Sequence, residues 1–103
     1  MRKLNETVIC ADGFEMSVQA NESAYCSPRV NNAERYLSCE IGFPSKAEDL
    51  ILHFAEEPSR PTETVYGYVP SQTVALVIAK HGGMISGEVP AGVPELMAPE
   101  TQA

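Results

Sequence analysis

The stretch TVICADGFEMSVQA, residues 7–20, places an aspartate-glycine pair between two runs of β-prone side chains. Asp12-Gly13 is typical of the tight turn that joins the two strands of a β-hairpin. From Phe14 to Ala20 apolar and polar residues alternate, so that one set of side chains faces a core and the other faces water. The stretch therefore predicts a hairpin that belongs to a sheet with one buried face.

Two further patterns extend this sheet and cover it. A second alternating run over residues 37–43 predicts a third strand, which Pro44 ends. Ser45 and Glu48 have the spacing of a capping box, in which each side chain bonds the backbone N–H of the other. They predict a helix over 46–57 whose apolar stripe covers the sheet.

Two more elements follow along the chain. Residues 64–69 predict a short fourth strand, and residues 72–81 predict a second helix. Ser71 is the expected N-cap of this helix, and Gly82 is the expected stop. Because the run 74–79 is rich in β-branched residues, a buried strand is the alternative to the helix.

Together these patterns predict an α+β fold: a three- or four-stranded, mainly antiparallel sheet with two helices packed on one face, in the order β-β-β-α-(β)-α. Residues 1–84 would form this single domain. Residues 85–103 contain recurrent prolines and carry three acidic but no basic side chains. They predict a Pro-rich acidic tail that is flexible or draped over the domain.

The overall charge restricts the classes of partner. Among 103 residues, 14 are acidic and 7 are basic, which gives a formal net charge of −7. This charge disfavours nucleic acids and anionic membranes as partners. The polar N-terminus and the lack of a long apolar run predict neither a signal peptide nor a membrane span, and the three cysteines fit a reducing compartment. We therefore expect a cytoplasmic protein.

The residues that could carry chemistry are Cys10, Cys26, Cys39, His53 and His81. They are far apart in the sequence, whereas structural zinc sites take their ligands in close pairs. Cys26 has an arginine three residues on and could be reactive, but no histidine base can be placed beside it. Capping of the second helix explains His81. We predict no catalytic residue, metal site or cofactor; a small Cys/His-dependent hydrolase or zinc protein is the minor alternative.

The second helix is the most informative surface element. If its core side holds Val74 and Ile78, then Leu76 and Ala79 point away and need a cover, which could be the tail, a second copy or a foreign protein. Tyrosines on the preceding strand and acids on the first helix would extend a contact surface. The candidate protein-binding residues are Tyr66, Tyr68, Leu76, Ala79, Glu48, Asp49, Glu56 and Glu57.

Three stretches carry a resemblance: VICADGFEMSVQA, YCSPR and PTETVYGYVPSQTVALVIAKHGG. Over residues 7–84 the chain resembles short uncharacterised proteins encoded by tailed bacteriophages and prophages. The resemblance implies a small accessory protein in the cytosol of a bacterial host. It implies no activity, and no functional residue is carried over from it.

These observations favour a non-enzymatic phage-type accessory protein that binds a host or phage protein and modulates it, most simply by inhibition. The alternative is a homo-oligomeric structural or scaffolding protein, in which the second helix packs against its symmetry mate. The predicted partner is thus a protein, either foreign or a second copy of the chain.

Overall fold

The computed structural model describes residues 4–99, which form an α+β fold. Five strands make one sheet in the order β4-β3-β2-β1-β5, with every neighbouring pair antiparallel. One α-helix and one 3₁₀ turn accompany the sheet. The elements are β1 Val8–Cys10, β2 Glu15–Gln19, β3 Ser38–Gly42, a 3₁₀ turn Leu52–Phe54, β4 Val65–Pro70, α1 Ser71–Lys80 and β5 Met84–Ser86.

The predicted hairpin is confirmed. Strands β1 and β2 pair with Val8 opposite Met16, and the Cys10 N–H donates to the Phe14 carbonyl across the turn at 2.8 Å. Gly13 takes the positive φ of 93° that the turn requires. The alternation also holds, because Phe14, Met16 and Val18 are buried. The hairpin therefore supplies the central part of the core.

The predicted helix over 46–57 is wrong. This region forms turns, with a single 3₁₀ turn at Leu52–Phe54. The two capping-box side chains have tertiary partners instead: the Ser45 hydroxyl accepts the Glu15 N–H at 2.9 Å, and Glu48 turns inward. Since neither side chain caps a helix start, the local signal is overridden. Of the apolar stripe predicted for this helix, Ile51 is buried and Phe54 is half-buried, whereas Ala47 and Leu50 are exposed.

The second predicted helix is confirmed, and the buried-strand alternative is wrong. Helix α1 packs on β3 and β4 and buries Val74, Val77 and Ile78. The helix ends at Lys80, and Gly82, two residues later, takes a φ of +90°. Ser71 is the first helical residue rather than the N-cap, because its hydroxyl donates to the Tyr36 carbonyl at 2.7 Å.

The predicted domain boundary after residue 84 falls inside β5, which pairs with β1 and adds a fifth strand to the three or four expected. The segment that follows continues to bond the domain. The Glu88 N–H donates to Glu6 at 3.1 Å, the Tyr36 N–H donates to Ala91 at 2.8 Å, and the Ala98 N–H donates to Met84 at 2.9 Å. Prolines exclude a helix here but permit an extended segment on the sheet edge. The end of the predicted tail, residues 100–103, lies outside the described residues.

Both edges of the sheet are covered by the chain itself. On β4, Ala55 forms a bridge with Tyr66, and the Tyr68 N–H donates to the Tyr25 carbonyl at 2.9 Å. On β5, Met84 forms a parallel bridge with Met97. An uncovered edge is a template for pairing with another chain, so this coverage disfavours assembly through strand addition.

Gly87→Ala tests the docking of the C-terminal segment. A Cβ at Gly87 would lie 2.5 Å from the Cα of Val8, and the residue has a φ of +108°. Gly13 is the matched control, because it also has a positive φ but nothing lies within 4 Å of an added Cβ. We expect Gly13→Ala to cost about 1–2 kcal/mol in the free energy of unfolding. Gly87→Ala should cost roughly 1–3 kcal/mol more, because backbone must move.

Urea unfolding of the full chain measures this difference. Equal losses for the two variants would show that the backbone at Gly87 does not pack against Val8 of β1.

Candidate functional site

The polar feature that sequence patterns did not predict is a histidine held between two carboxylates. Nδ1 of His81 lies 2.6 Å from Asp12 Oδ2, and Nε2 lies 2.6 Å from Glu48 Oε1. Lys80 Nζ lies 2.7 Å from the other oxygen of Glu48. We call Asp12, Glu48, Lys80 and His81 the ion cluster. It joins the hairpin turn, the loop after β3 and the end of α1.

The ion cluster is buried at its centre and open at its ends. His81 and Glu48 are buried, whereas the side chains of Asp12 and Lys80 are 44% and 48% exposed. The Phe14 ring stacks on the His81 ring, with centroids 4.0 Å apart and an interplanar angle of 10°. The backbone N–H groups of Phe14 and Leu50 donate to Asp12 and Glu48, each at 2.9 Å. All four carboxylate oxygens are thus hydrogen-bonded, as burial demands.

The geometry fits a protonated histidine ring. A neutral imidazole has one N–H, whereas both ring nitrogens of His81 face carboxylate oxygens at hydrogen-bond distance. With His81 as imidazolium, its charge and that of Lys80 balance the two carboxylates. The opposite charges and their hydrogen bonds offset part of the free-energy cost of burying these ions.

The cluster lowers the pKa of both carboxyl groups. For Asp12, the hydrogen bond from the Phe14 N–H and then that from His81 hold the pKa below its usual value. For Glu48, burial alone would raise the pKa, but the hydrogen bonds from Lys80, the Leu50 N–H and His81 outweigh burial and the pKa is lowered. Both groups therefore favour their charged form in the folded protein.

Both ring nitrogens of His81 have carboxylate partners, so the ion cluster presents no free ring nitrogen for proton transfer. A general base needs a ring nitrogen that can reach a substrate, and both nitrogens of His81 are engaged. The nearest thiol is not activated, because burial and then the Asp12 charge raise the pKa of Cys10. The predicted helix-capping role of His81 is also corrected. Its backbone N–H bonds the helix carbonyls, but its ring bonds the carboxylates.

The other candidate chemical residues are not brought together. Cys10, Cys26 and Cys39 are free and buried. The Cys26 thiol donates to the Asn21 carbonyl at 3.3 Å, and burial raises the pKa of Cys39 to about 11. His53 is exposed and lies against the Phe54 ring, 4.1 Å between centroids. Within residues 4–99, no group of three His, Cys, Asp or Glu side chains could hold a metal ion.

The predicted protein-binding residues divide into two sets. Tyr66 and Glu48 are buried: the hydroxyl of Tyr66 donates to the Pro61 carbonyl, and Glu48 belongs to the ion cluster. Because 46–57 is not a helix, the acidic residues do not share a helix face. The residues that do reach solvent are Tyr68, Leu76, Ala79, Asp49, Glu56 and Glu57.

A second site lies at the bulge of β4. Tyr68 is 51% exposed and has a φ of 55°, a conformation that is uncommon for a bulky residue. Its ring lies 6.0 Å from that of Tyr25, and the guanidinium of Arg29 lies 5.3 Å from the centre of the Tyr25 ring. We call Tyr25, Arg29 and Tyr68 the aromatic surface. The sequence feature that goes with this surface is Gly67. Its lack of a side chain makes room for Tyr25, because an added Cβ would sit 3.1 Å from the Tyr25 Cβ.

Comparison of the chain with protein-family models, with curated proteins and with solved structures finds no match. In the described part of the chain, no helix has both the length and the apolar character needed to cross a membrane. Function is therefore argued from the geometry of these sites.

Replacing Glu48 by Gln tests whether the ion cluster holds the fold together. The amide keeps the size of the side chain but leaves His81 and Lys80 without their charged partner. We expect a loss of roughly 3–5 kcal/mol in the free energy of unfolding at pH 7. Asp49→Asn is the matched control, since the neighbouring carboxylate is exposed and should change stability by under about 0.5 kcal/mol. Similar losses in both variants would refute the central role of Glu48.

The ion cluster also predicts acid sensitivity. A carboxyl group whose pKa is lower in the folded than in the unfolded chain stabilises the fold above the unfolded pKa, and this contribution is lost as pH falls through the folded pKa. For Asp12 and Glu48 the loss should begin near pH 5 and grow below about pH 4. Urea unfolding between pH 7 and pH 3 should therefore show a smaller dependence on pH for Glu48→Gln than for the natural chain. Parallel curves would contradict this linkage.

Proposed function

We propose that the chain is a non-enzymatic accessory protein that docks on another protein and modulates it, and that the aromatic surface is its point of contact. The observation that carries this proposal is the pair of solvent-exposed tyrosines at the β4 bulge. Tyrosine and arginine are enriched among the residues that dominate binding energy in protein interfaces. Tyr25, Arg29 and Tyr68 place all three such side chains together.

The way in which the aromatic surface is held supports a role beyond folding. The hydrogen bonds that hold its two tyrosines in place are made by their backbone atoms: the Tyr25 carbonyl accepts the Tyr68 N–H, and the Tyr25 N–H donates to Glu40 at 2.9 Å. The rings are therefore available for a partner, while the segment stays in place. Rigid aromatic side chains lose little conformational entropy on binding, which makes them efficient anchors.

The charge of the protein and its resemblance to phage proteins suggest the kind of target. The net charge of −7 and the exposed Asp49, Glu56 and Glu57 favour a partner with a basic rim. A host or phage protein met in the bacterial cytosol would fit the resemblance. Inhibition by occlusion is the simplest mode of modulation, because docking alone is enough to produce it.

The exposed face of α1 favours a second candidate, which is self-association. Leu76 is 54% exposed, and Ala79 one turn later is also exposed. Leu37 is exposed beside the start of the helix, where its carbonyl accepts the Ser71 N–H. Two copies could bury this face against each other.

Affinity capture from bacterial lysate, at several salt concentrations, tests the first candidate. The double variant Tyr25→Ser, Tyr68→Asn removes both rings, and asparagine tolerates the positive φ of residue 68. We expect a partner captured by the natural chain to bind this variant at least about tenfold more weakly. Circular dichroism should show an unchanged fold, because the backbone contacts are kept.

Leu76→Gln is the control for loss of an exposed apolar side chain elsewhere, and it should retain the partner. Capture of nothing specific at any salt concentration, or equal capture by the double variant, would count against the aromatic surface. A doubled mass in light scattering that Leu76→Gln abolishes would favour self-association instead.

A further inference from the structure

All four asparagines of the chain line one cavity. Asn5, Asn21, Asn31 and Asn32 are spread over 28 positions of the sequence. The fold gathers them, together with Gln19, around a cavity of about 880 Å³. This volume lies within the usual range of ligand sites in proteins. What these five carboxamides could bind depends on which of their polar atoms the fold already uses.

The fold uses some of these polar atoms and leaves others. Both ends of the Gln19 amide bond the Asn5 backbone: the Asn5 N–H donates to Gln19 Oε1, and Gln19 Nε2 donates to the Asn5 carbonyl, both at 2.9 Å. Nδ2 of Asn5 donates to the Val18 carbonyl at 3.1 Å. Oδ1 of Asn21 accepts two backbone N–H groups, at 2.8 and 2.9 Å. Oδ1 of Asn31 accepts the Glu22 N–H at 3.0 Å. The asparagine oxygens thus fix the loops that form the cavity wall.

Three of the asparagines on this wall keep an amide nitrogen that the fold does not use: Asn21, Asn31 and Asn32. Asn21 is 8% exposed, yet within residues 4–99 its Nδ2 has no hydrogen-bond partner. The same holds for Nδ2 of Asn31 and for both polar atoms of Asn32 among the described residues. Among the described residues no buried side-chain nitrogen or oxygen lacks a partner, so Nδ2 of Asn21 reaches solvent. Asn31 and Asn32 are exposed, and all three residues line the cavity. The cavity therefore offers hydrogen-bond donors to a molecule that carries acceptors.

The remaining lining narrows the class of ligand. Small apolar residues form the rest of the wall, and the described lining contains Glu22 but no lysine or arginine. Tyr36 is buried and its hydroxyl donates to the Val30 carbonyl, so no ring face is offered for stacking. Saccharides and nucleobases are usually held by stacking on aromatic side chains. An extended peptide needs no such platform, because its main chain alternates carbonyl acceptors with N–H donors.

We propose that this amide-lined cavity binds an extended main-chain segment of a partner protein, neutral or basic in charge. The inference rests on the proposed protein-binding function and names a second contact for it. The unpaired nitrogens of Asn21 and Asn31 would donate to main-chain carbonyl oxygens, and Asn32 could both donate to a carbonyl and accept a main-chain N–H. The small apolar wall leaves room for side chains, and the net charge of −7 disfavours an acidic segment.

The test uses capped tetrapeptides of the form acetyl-Ala-Xaa-Ala-Ala-amide, in which Xaa is Ser, Lys or Glu, with maltotriose as the non-peptide arm. Each is titrated into the ¹⁵N-labelled full chain, and the side-chain amide resonances are followed by NMR. We expect the Ser and Lys peptides to shift the resonances of Asn21, Asn31 and Asn32. The Glu peptide and maltotriose should bind at least tenfold more weakly.

Asn21→Asp is the decisive variant, because it keeps the oxygen that fixes the loop and replaces the unpaired NH₂. It should weaken binding of the Ser peptide at least tenfold. Gln72→Glu makes the same amide-to-acid change at an exposed position of α1 and should change binding by less than twofold. Asn32→Gly removes a further amide while suiting the φ of 54° at that residue, and should also weaken binding.

The proposal would be overturned by any of four results. These are resonance shifts only at residues outside the cavity, equal weakening of peptide binding by Gln72→Glu and Asn21→Asp, tighter binding of maltotriose than of the Ser peptide, and no resonance shifts at millimolar peptide. Loss of the cavity proposal leaves the proposed function standing if the tyrosine double variant still loses its captured partner. Peptide binding without any effect of the tyrosine variant would overturn the role of the aromatic surface alone.

Discussion

The contact on which the rest of the structure depends is the buried His81 ring between Asp12 and Glu48. Three segments that are distant in sequence meet there: the hairpin turn, the loop after β3 and the end of α1. Once Glu48 is committed to this contact it cannot cap a helix, so the following residues form turns rather than a second helix. The buried Phe14 ring stacks on the His81 ring and so connects the ion cluster to the hydrophobic core.

The buried charged groups lie apart from the two sites proposed for binding. Within the ion cluster the charged groups are hydrogen-bonded to one another. The polar groups proposed to bind a partner lie at the surface, in the amide-lined cavity and at the aromatic surface. Both sites depend on the segment between β2 and β3, whose ends are fixed by the Asn21 oxygen and by the bridge of Ser27 to Ser38. A loop held by a rigid sheet is a common place for binding residues.

Local sequence patterns predicted an element correctly where no tertiary contact competed for the same side chains. The hairpin, the third strand and α1 follow from alternation, an aspartate-glycine turn and a glycine stop, all of which act over a few residues. The capping box at Ser45 failed because both of its side chains found stronger partners far away in sequence. The candidate protein-binding residues divide into an exposed set and a buried set for the same reason. Tyr68 and Leu76 reach solvent, whereas Tyr66 and Glu48 share similar patterns but are buried.

The sequence by itself determined the α+β class, the buried parity of the hairpin and the core side of α1, because hydrophobic periodicity specifies which face of an element is buried. Tertiary structure alone decided the ion cluster, the fifth strand and the convergence of four asparagines on one cavity. Those features join residues up to 77 positions apart, the separation of Ile9 and Ser86. No local pattern records which distant polar groups will meet, since that depends on how the packed elements are arranged around the core.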